Sequence, residues 1–264
     1  MRIFTATLFT ALMVLSSSFQ AHAAGKHNHT APIERQNSPT VNVTSPRTIK
    51  PGTPQALTLR LTDASGTPIT VDKLTEVHTK KLHLFVVAPD FSEYLHVHPE
   101  AAKKTGEYTV MVKPEQSGYV VWADITLENG GHLPVRTTWG SPAAQPVISK
   151  TAQLTAEAAG IAAAIQDSVL TAGGDSTLQV KLHDASGKPV TNLEEFLGAS
   201  AHLVGFDGAQ TRLLHAHPMD GVKTPGMLQF HVNPPIAGVW KVFLQVQRAG
   251  AVLTFPFTLL VKAE

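Results

Sequence analysis

The sequence predicts an all-β protein made of two tandem immunoglobulin-like antiparallel β-sandwich domains. Short apolar or alternating runs recur along the chain, separated by Asp, Asn, Gly, Pro and Ser. A long segment of the first half recurs in the second half, and 264 residues exceed what one small sandwich needs. About seven short strands in roughly 100 residues are typical of the immunoglobulin-like sandwich.

The internal repeat sets the domain boundaries. Asp63-Ala-Ser-Gly66 and Asp184-Ala-Ser-Gly187 each follow an alternating apolar run. The offset between the copies drifts only slightly along the chain, which places the length changes in loops. We therefore expect one sandwich over residues 41–140, a linker over 141–154 and a second sandwich over 155–264.

The predicted strands follow the same series in both copies. In the first copy they are Val41–Val43, Ala56–Thr62, Lys81–Ala88, Tyr94–His98, Tyr108–Lys113, Tyr119–Leu127 and Val135–Trp139. In the second they are Ile161–Leu170, Thr177–Lys181, Ala201–Phe206, Arg212–His215, Met227–Val232, Val239–Gln247 and Ala251–Val261. The alanine-rich stretch from Thr155 to Ile165 is expected to be partly helical.

The N-terminus is typical of a secreted protein. Arg2 precedes an apolar stretch and the A-x-A-type cleavage site Ala21-His22-Ala23, so residues 1–23 are predicted to be a signal peptide. Residues 24–40, with His27 and His29, are expected to form a flexible tail. No later apolar run approaches the roughly 20 residues that a membrane span needs. These features predict a periplasmic or secreted location.

Composition excludes several classes of function. The chain has no cysteine, which excludes disulfides, thiolate metal sites and catalytic thiols. Its formal net charge is +1 and 43% of its residues are hydrophobic. Nucleic acid and anionic membranes are therefore not expected as partners. The oligomeric state is not predicted.

Each copy carries a histidine followed 13 residues later by a His-x-His-Pro motif. These histidines are His83, His96 and His98 in the first copy, and His202, His215 and His217 in the second. The intervals are centred on the turn-forming pairs Pro89-Asp90 and Gly208-Ala209, so each predicts a β-hairpin. Such a hairpin sets His83 opposite His96, with His98 on the same face. Directly opposed residues have Cβ atoms about 4.5–5.5 Å apart, so three imidazoles could converge on one metal ion.

The repeated histidines also have a purely structural explanation. A His-x-His-Pro motif can end a strand, because proline lacks an N–H group and the imidazoles can bond loop carbonyls. The second copy could retain the motif for this reason even if only the first copy binds metal.

Two further candidate ligands occur only in the first copy. Asp124 aligns with Leu244, and a carboxylate buried there needs a cation or hydrogen-bond donors. It is expected to be a fourth ligand or an acceptor that orients an imidazole, unless a one-residue register shift turns it to solvent. His132, which aligns with Val252, could reach the site from a loop.

The ligand set favours copper, with zinc as the alternative. Imidazole sites suit zinc, copper and nickel, and affinity alone favours Cu(II). The chain lacks His-Glu-x-x-His and Gly-x-Ser-x-Gly motifs, so an enzyme is not expected, and a copper redox enzyme would need a demonstrated substrate. The prediction is a metal-binding protein that buffers copper or delivers it to a periplasmic partner. Binding should weaken as the pH falls through about 6.5, the unperturbed imidazole value. The alternative is a tandem immunoglobulin-like adhesion or assembly module without metal.

The stretch from Leu82 to Pro99, followed by Gly106-Glu-Tyr108 and by Pro114-Glu-Gln-Ser-Gly118-Tyr119, resembles secreted β-sandwich domains of the YtkA-like and CopC-like kind. The resemblance covers the central part of each copy. It implies copper handling outside the cytoplasm, with the six motif histidines as ligand candidates. The chain departs from the CopC-like pattern at the predicted mature N-terminus, Ala24, where that pattern has a histidine. The coordination mode of that family is therefore not implied.

Overall fold

A computed structural model describes residues 39–144, 148–166 and 169–264. The predicted signal peptide, and the predicted tail up to residue 38, lie outside the described residues. The described chain is almost entirely β, with one turn of 3-10 helix at Val71–Lys73. None of its helices has the length and apolar character needed to cross a membrane.

The first copy folds into two four-stranded antiparallel sheets. Its strands are β1 (Thr40–Ser45), β2 (Gln55–Thr62), β3 (Leu82–Val87), β4 (Tyr94–Val97), β5 (Glu100–Ala101), β6 (Glu107–Val112), β7 (Gly118–Thr126) and β8 (His132–Gly140). The sheet orders are β1-β2-β6-β5 and β4-β3-β7-β8.

The second copy repeats this arrangement. Its strands are β9 (Thr155–Ala158), β10 (Ile161–Ile165), β11 (Leu170–Thr171), β12 (Ser176–Asp184), β13 (His202–Asp207), β14 (Leu213–Ala216), β15 (Met227–Val232), β16 (Gly238–Arg248) and β17 (Ala251–Lys262). The sheet orders are β15-β12-β10-β9 and β11-β17-β16-β13-β14, with β11 and β17 parallel and every other pair of this copy antiparallel. Two tandem antiparallel sandwiches confirm the predicted fold class.

Alternation of side chains builds each core. Leu57, Leu59 and Leu61 of β2 are fully buried between half-buried Thr58 and Arg60. This period of two sends alternate residues to the core and to the opposite face.

The alanine-rich stretch is a hairpin, so the expectation of partial helix was wrong. Strands β9 and β10 pair across Ala159 and Gly160, whose φ angles are 46° and 75°. Two central residues with positive φ match the twist of a hairpin. The buried side chains of β10, on Ile161, Ala163 and Ile165, alternate at the period of a strand, and this burial outweighs the helix propensity of alanine.

The histidine hairpins are paired two residues away from the predicted register. His96 lies opposite Phe85 rather than His83, and His215 lies opposite Val204. The reason is a longer loop between β3 and β4, in which the Ala88 N–H donates to the Glu93 carbonyl at 2.9 Å. A shift of two residues keeps every side chain on its face, so His83 and His96 still share one.

Strands β3 and β13 are buried on both faces. Leu84 and Val86 of β3 point into their own sandwich, whereas Phe85 and Val87 point at the other domain. The interdomain cluster comprises Phe85, Val87, Phe91, Tyr94, Val120, Trp122, Val204, Phe206 and Phe243. The outer faces of one sheet from each sandwich therefore lie against each other.

Replacing Phe206 by alanine is expected to separate the domains without unfolding them. Phe206 is fully buried, and its ring contacts rings of the first copy. A buried Phe→Ala change costs about 3–5 kcal/mol, and here much of that loss falls on the interface. Small-angle X-ray scattering should show a larger radius of gyration, with the far-UV circular dichroism unchanged. Leu260→Ala, at an exposed position, is the control. An unchanged scattering profile for Phe206→Ala would contradict the described interface.

Candidate metal centre

The six motif histidines meet in a single cluster between the domains, which we call the histidine cluster. Ring centroids of His96 and His202, one from each copy, are 4.8 Å apart, and those of His83 and His215 are 5.1 Å apart. The expectation of one separate site per hairpin is corrected by this arrangement. Spacing within one copy fixes which residues share a face, but not what that face contacts.

One group of possible ligands combines both domains. One nitrogen from each of His83, His96 and His215 can be chosen so that all three lie within 4.8 Å of one another. The Nδ1 atom of His83 is 3.3 Å from Nε2 of His96 and 3.0 Å from Nε2 of His98. A tetrahedral ion with metal–nitrogen bonds of about 2.0–2.1 Å places neighbouring ligand nitrogens ~3.3 Å apart. The spacing around His83 therefore suits an ion of this kind.

A second group belongs to the second domain. His202, His215 and His217 also offer nitrogens within 4.8 Å of one another, so His215 is common to both groups. Nδ1 of His202 and Nε2 of His215 and His217 are buried without a hydrogen-bond partner among the described residues. A buried polar atom without a partner is costly, and a bound cation would satisfy such lone pairs.

Backbone carbonyls orient two of the rings. Nε2 of His83 donates to the Val77 carbonyl at 3.1 Å, and Nε2 of His202 donates to the Phe196 carbonyl at 2.8 Å. In a neutral ring this hydrogen bond leaves the lone pair on Nδ1, which faces the cluster. Equivalent residues of the two copies thus present the same atom to the site.

Asp124 links the two domains at the cluster. It pairs with His83 in the β3–β7 ladder and is 4% exposed. Its carboxylate accepts from Nδ1 of His215 at 2.8 Å and from Nε2 of His132 at 2.6 Å. Asp124 thus holds the His215 ring with Nε2 towards the cluster, as carboxylates do for metal-binding histidines. Of the two roles expected for a buried Asp124, the geometry matches the orienting one.

The structure corrects the alignment of Asp124. His202 pairs with Gln245 as His83 pairs with Asp124, so the counterpart of Asp124 is Gln245 rather than Leu244. Gln245 is buried and donates to the Thr254 hydroxyl at 3.1 Å. The second copy therefore has a neutral amide at the position of the carboxylate.

His132 acts on Asp124 and is not in either nitrogen group. His132 begins β8 and pairs with Thr126 of β7. The equivalent pair in the second copy is Val252 with Gln247. Burial works against a charge on His132, but the Asp124 carboxylate outweighs it and raises the pKa. For Asp124, burial also opposes the charge, yet hydrogen bonds from His132 and His215 hold the pKa well below its usual range.

Burial favours the neutral form of five of the motif histidines. It lowers the pKa of His83 to about 4 and that of both His98 and His202 to about 3. The pKa values of His96 and His217 are also lowered, mainly by burial and further by neighbouring histidines. Neutral imidazole is the form that binds a metal ion.

Sequence spacing gives no role to His78, yet the structure places it at the edge of the histidine cluster. Its ring centroid is 3.5 Å from that of His217, and its φ is 48° in the turn before β3. The matching turn of the second copy has Leu197 at φ 53°, followed by Gly198. A Cβ added to Gly198 would lie 2.5 Å from the His78 carbonyl oxygen, so the two turns touch. Only the contact between domains gives His78 a place at the site.

A cleft of about 240 Å³ opens beside His98. Its walls include Glu76, Lys80, Lys81 and Glu100. Because Nε2 of His98 is 3.0 Å from His83, this cleft connects the surface to the edge of the histidine cluster.

Residues 34–138 and 156–263 both match the family described as Domain of unknown function (DUF8832). The chain belongs to this family. Two matches of one family, one in each sandwich, accord with the internal repeat. The family does not bear on the resemblance to YtkA-like and CopC-like domains, which stays a prediction.

No curated protein matches the chain. Among solved structures, FdeC, an Escherichia coli adhesin, is 17% identical, with a TM-score of 0.29, over 86% of this chain and 64% of that one. Invasin, a bacterial integrin-binding protein, is 15% identical, with a TM-score of 0.24, over 86% of this chain and 40% of that one. The chain therefore spans less than two thirds of either protein. At these TM-scores the likeness carries no argument about function.

Proposed function

We propose that this protein is a periplasmic or secreted, non-enzymatic metal-binding protein that buffers copper or delivers it to a partner protein. The observation that carries the proposal is the convergence of six buried or half-buried histidines, three from each copy, on one place between the domains. Zinc is the alternative ion. The resemblance to secreted copper-handling domains points the same way.

The orientation of the rings supports metal binding over a purely structural role. In a structural motif both ring nitrogens would find protein partners. Here His202 and His215 use their outer nitrogens for hydrogen bonds to protein atoms, and the nitrogen that each turns to the cluster has no partner among the described residues. This is the arrangement expected of ligands with fixed tautomers.

The chemistry of the ligands supports copper. Imidazole nitrogens are borderline ligands that suit copper and zinc, and the divalent series favours copper. Structural zinc sites are usually closed by four ligands, often including cysteine, and this chain has no cysteine. The cleft beside His98 offers a route for exchange, which a buffer or a delivery protein needs.

Metal titration tests the proposal. Cu(I) titrated against a chromophoric chelator, and Zn(II) by calorimetry, should bind tightly to the protein in a His27→Ala/His29→Ala background that removes the tail histidines. The double variant His83→Gln/His202→Gln should lose tight binding, because glutamine keeps the donor to each backbone carbonyl and removes the Nδ1 ligand. His231→Gln, at an exposed position outside the cluster, should bind as the parent does. A parent protein that binds neither ion would refute the proposal.

The second candidate is the tandem immunoglobulin-like adhesion or assembly module without metal. The fold accords with such a module, and a module of this kind needs no ion between its domains. Absence of Cu(I) and Zn(II) binding in the titration, with the fold intact, would favour it.

A further inference from the structure

The two nitrogen groups of the histidine cluster overlap at one residue, His215. His83, His96 and His215 form a group that spans both domains, whereas His202, His215 and His217 form a group within the second domain. Nδ1 of His215 is bonded to Asp124 at 2.8 Å, so only Nε2 of His215 faces the cluster. A neutral imidazole nitrogen has one lone pair and binds one ion at a time.

Charge also limits how many ions the cluster can hold. Asp124 is buried at the cluster, and the other buried carboxylate of the described chain, Asp207, is engaged by backbone amides of its own loop. Gln245 stands where a second carboxylate would be. Two cations placed side by side would share one buried negative charge, and uncompensated charge in a protein interior is costly.

Resting on the proposed function, we propose that the cluster holds one metal ion per chain, which exchanges between two overlapping positions that share His215. The bridging position uses His83 and His96 of the first domain together with His215. The second-domain position uses His202 and His217 together with His215. The ion keeps its bond to His215 while the other ligands change.

Such an arrangement suits delivery of the ion. Movement between the positions proceeds by replacement of one imidazole by another, so the ion is never fully released. In the bridging position it is bound next to His98 and the cleft, because Nδ1 of His83 is 3.0 Å from Nε2 of His98. The second-domain position retains the ion, and the bridging position, which is nearer to the cleft, is the one from which the ion is delivered.

Stoichiometry and affinity test the inference in the same His27→Ala/His29→Ala background. The parent should bind one Cu(I) per chain, and so should His83→Gln and His202→Gln, since each variant retains one position. For two overlapping positions the association constant of the parent is the sum of the two separate constants. If the positions are equal, each single variant should therefore bind about twofold more weakly. The affinity of the double variant His83→Gln/His202→Gln for Cu(I) should fall by a much larger factor than the product of the two single-variant factors.

Imidazole ¹⁵N NMR with Ag(I), a diamagnetic probe, adds a readout of position. At one equivalent of Ag(I), the His83 resonances should shift part of the way towards their positions in Ag(I)-bound His202→Gln. The His202 resonances should likewise shift part of the way towards their positions in Ag(I)-bound His83→Gln. Neither set should change further at two equivalents. Two tightly bound ions per chain would overturn the inference and leave the proposed function intact, as would shifts confined to one group. No bound ion at all would instead overturn the proposed function itself.

Discussion

Replacing His215 by asparagine should lower the affinity for Cu(I) by more than about 100-fold, the upper range for loss of a residue that only orients a ligand. Asparagine keeps a donor close to Nδ1 and can still bond Asp124, but it has no atom in place of Nε2. His215 belongs to both nitrogen groups, and its Nδ1 is bonded to Asp124, which leaves Nε2 for the ion. One substitution therefore damages the bridging and the second-domain positions together. The measurement is competition against a chromophoric Cu(I) chelator.

Asp124→Asn provides the matched comparison for His215→Asn. It leaves all six motif histidines in place and removes only the charge that orients His215, so affinity should fall about 10–100-fold. The two variants should therefore rank with His215→Asn the weaker binder. Equal affinity of His215→Asn and the parent would show that the ion, if bound, does not lie in the histidine cluster.

The metal-free protein should lose stability as the pH falls from 6.5 towards 4. The folded pKa of His83 is about 4 and that of His98 and His202 is about 3, against an ordinary imidazole pKa of 6.5. The unfolded chain therefore binds protons in this window while the folded chain does not. The stability is fully present above pH 6.5 and is lost below it, with a slope of up to about 1.4 kcal/mol per pH unit for each such histidine.

Urea denaturation of the metal-free protein at a series of pH values measures this slope. His132 works in the opposite direction, since its raised pKa contributes stability at low pH that is lost as the pH rises through that pKa. His202→Gln keeps the donor to the Phe196 carbonyl but cannot titrate, so it should give a shallower slope. His231→Gln should leave the slope unchanged. A stability that does not depend on pH between 6.5 and 4 would contradict the described burial.

The sequence was sufficient to predict the repeated sandwiches and to place the three motif histidines of the first copy on one face. Alternating runs and turn residues placed most strands within a few residues, as for Met227–Val232. The spacing of His83, His96 and His98 correctly placed them on one face. A register error of two residues, an even number, leaves every side chain on its predicted face. The exact pairing was wrong by two residues, since loop length between β3 and β4 is set by local backbone geometry rather than by the midpoint of the interval.

The meeting of the two domains could not be predicted from spacing within either copy. Strand β3 contains a continuous apolar run from Leu84 to Val87, which indicates that both of its faces are buried. The run does not identify the surface that covers the outer face. The covering surface is the equivalent face of the second copy. Only through this contact does His215 meet His83 of the first copy, and His78 meet His217 of the second. The signal available in the sequence was that apolar and polar residues do not alternate regularly along β3 and β13.

The hydrogen bond from His215 to Asp124 makes the duplicated halves unequal and mutually dependent. The first half supplies a negative charge that the second half lacks, and the second half supplies the ring that this charge aligns. A protein made of two first halves, or of two second halves, would lack the hydrogen bond between His215 and Asp124. Neither half can therefore substitute for its twin, and a truncated protein with one half would have an incomplete set of candidate ligands and an uncovered aromatic face.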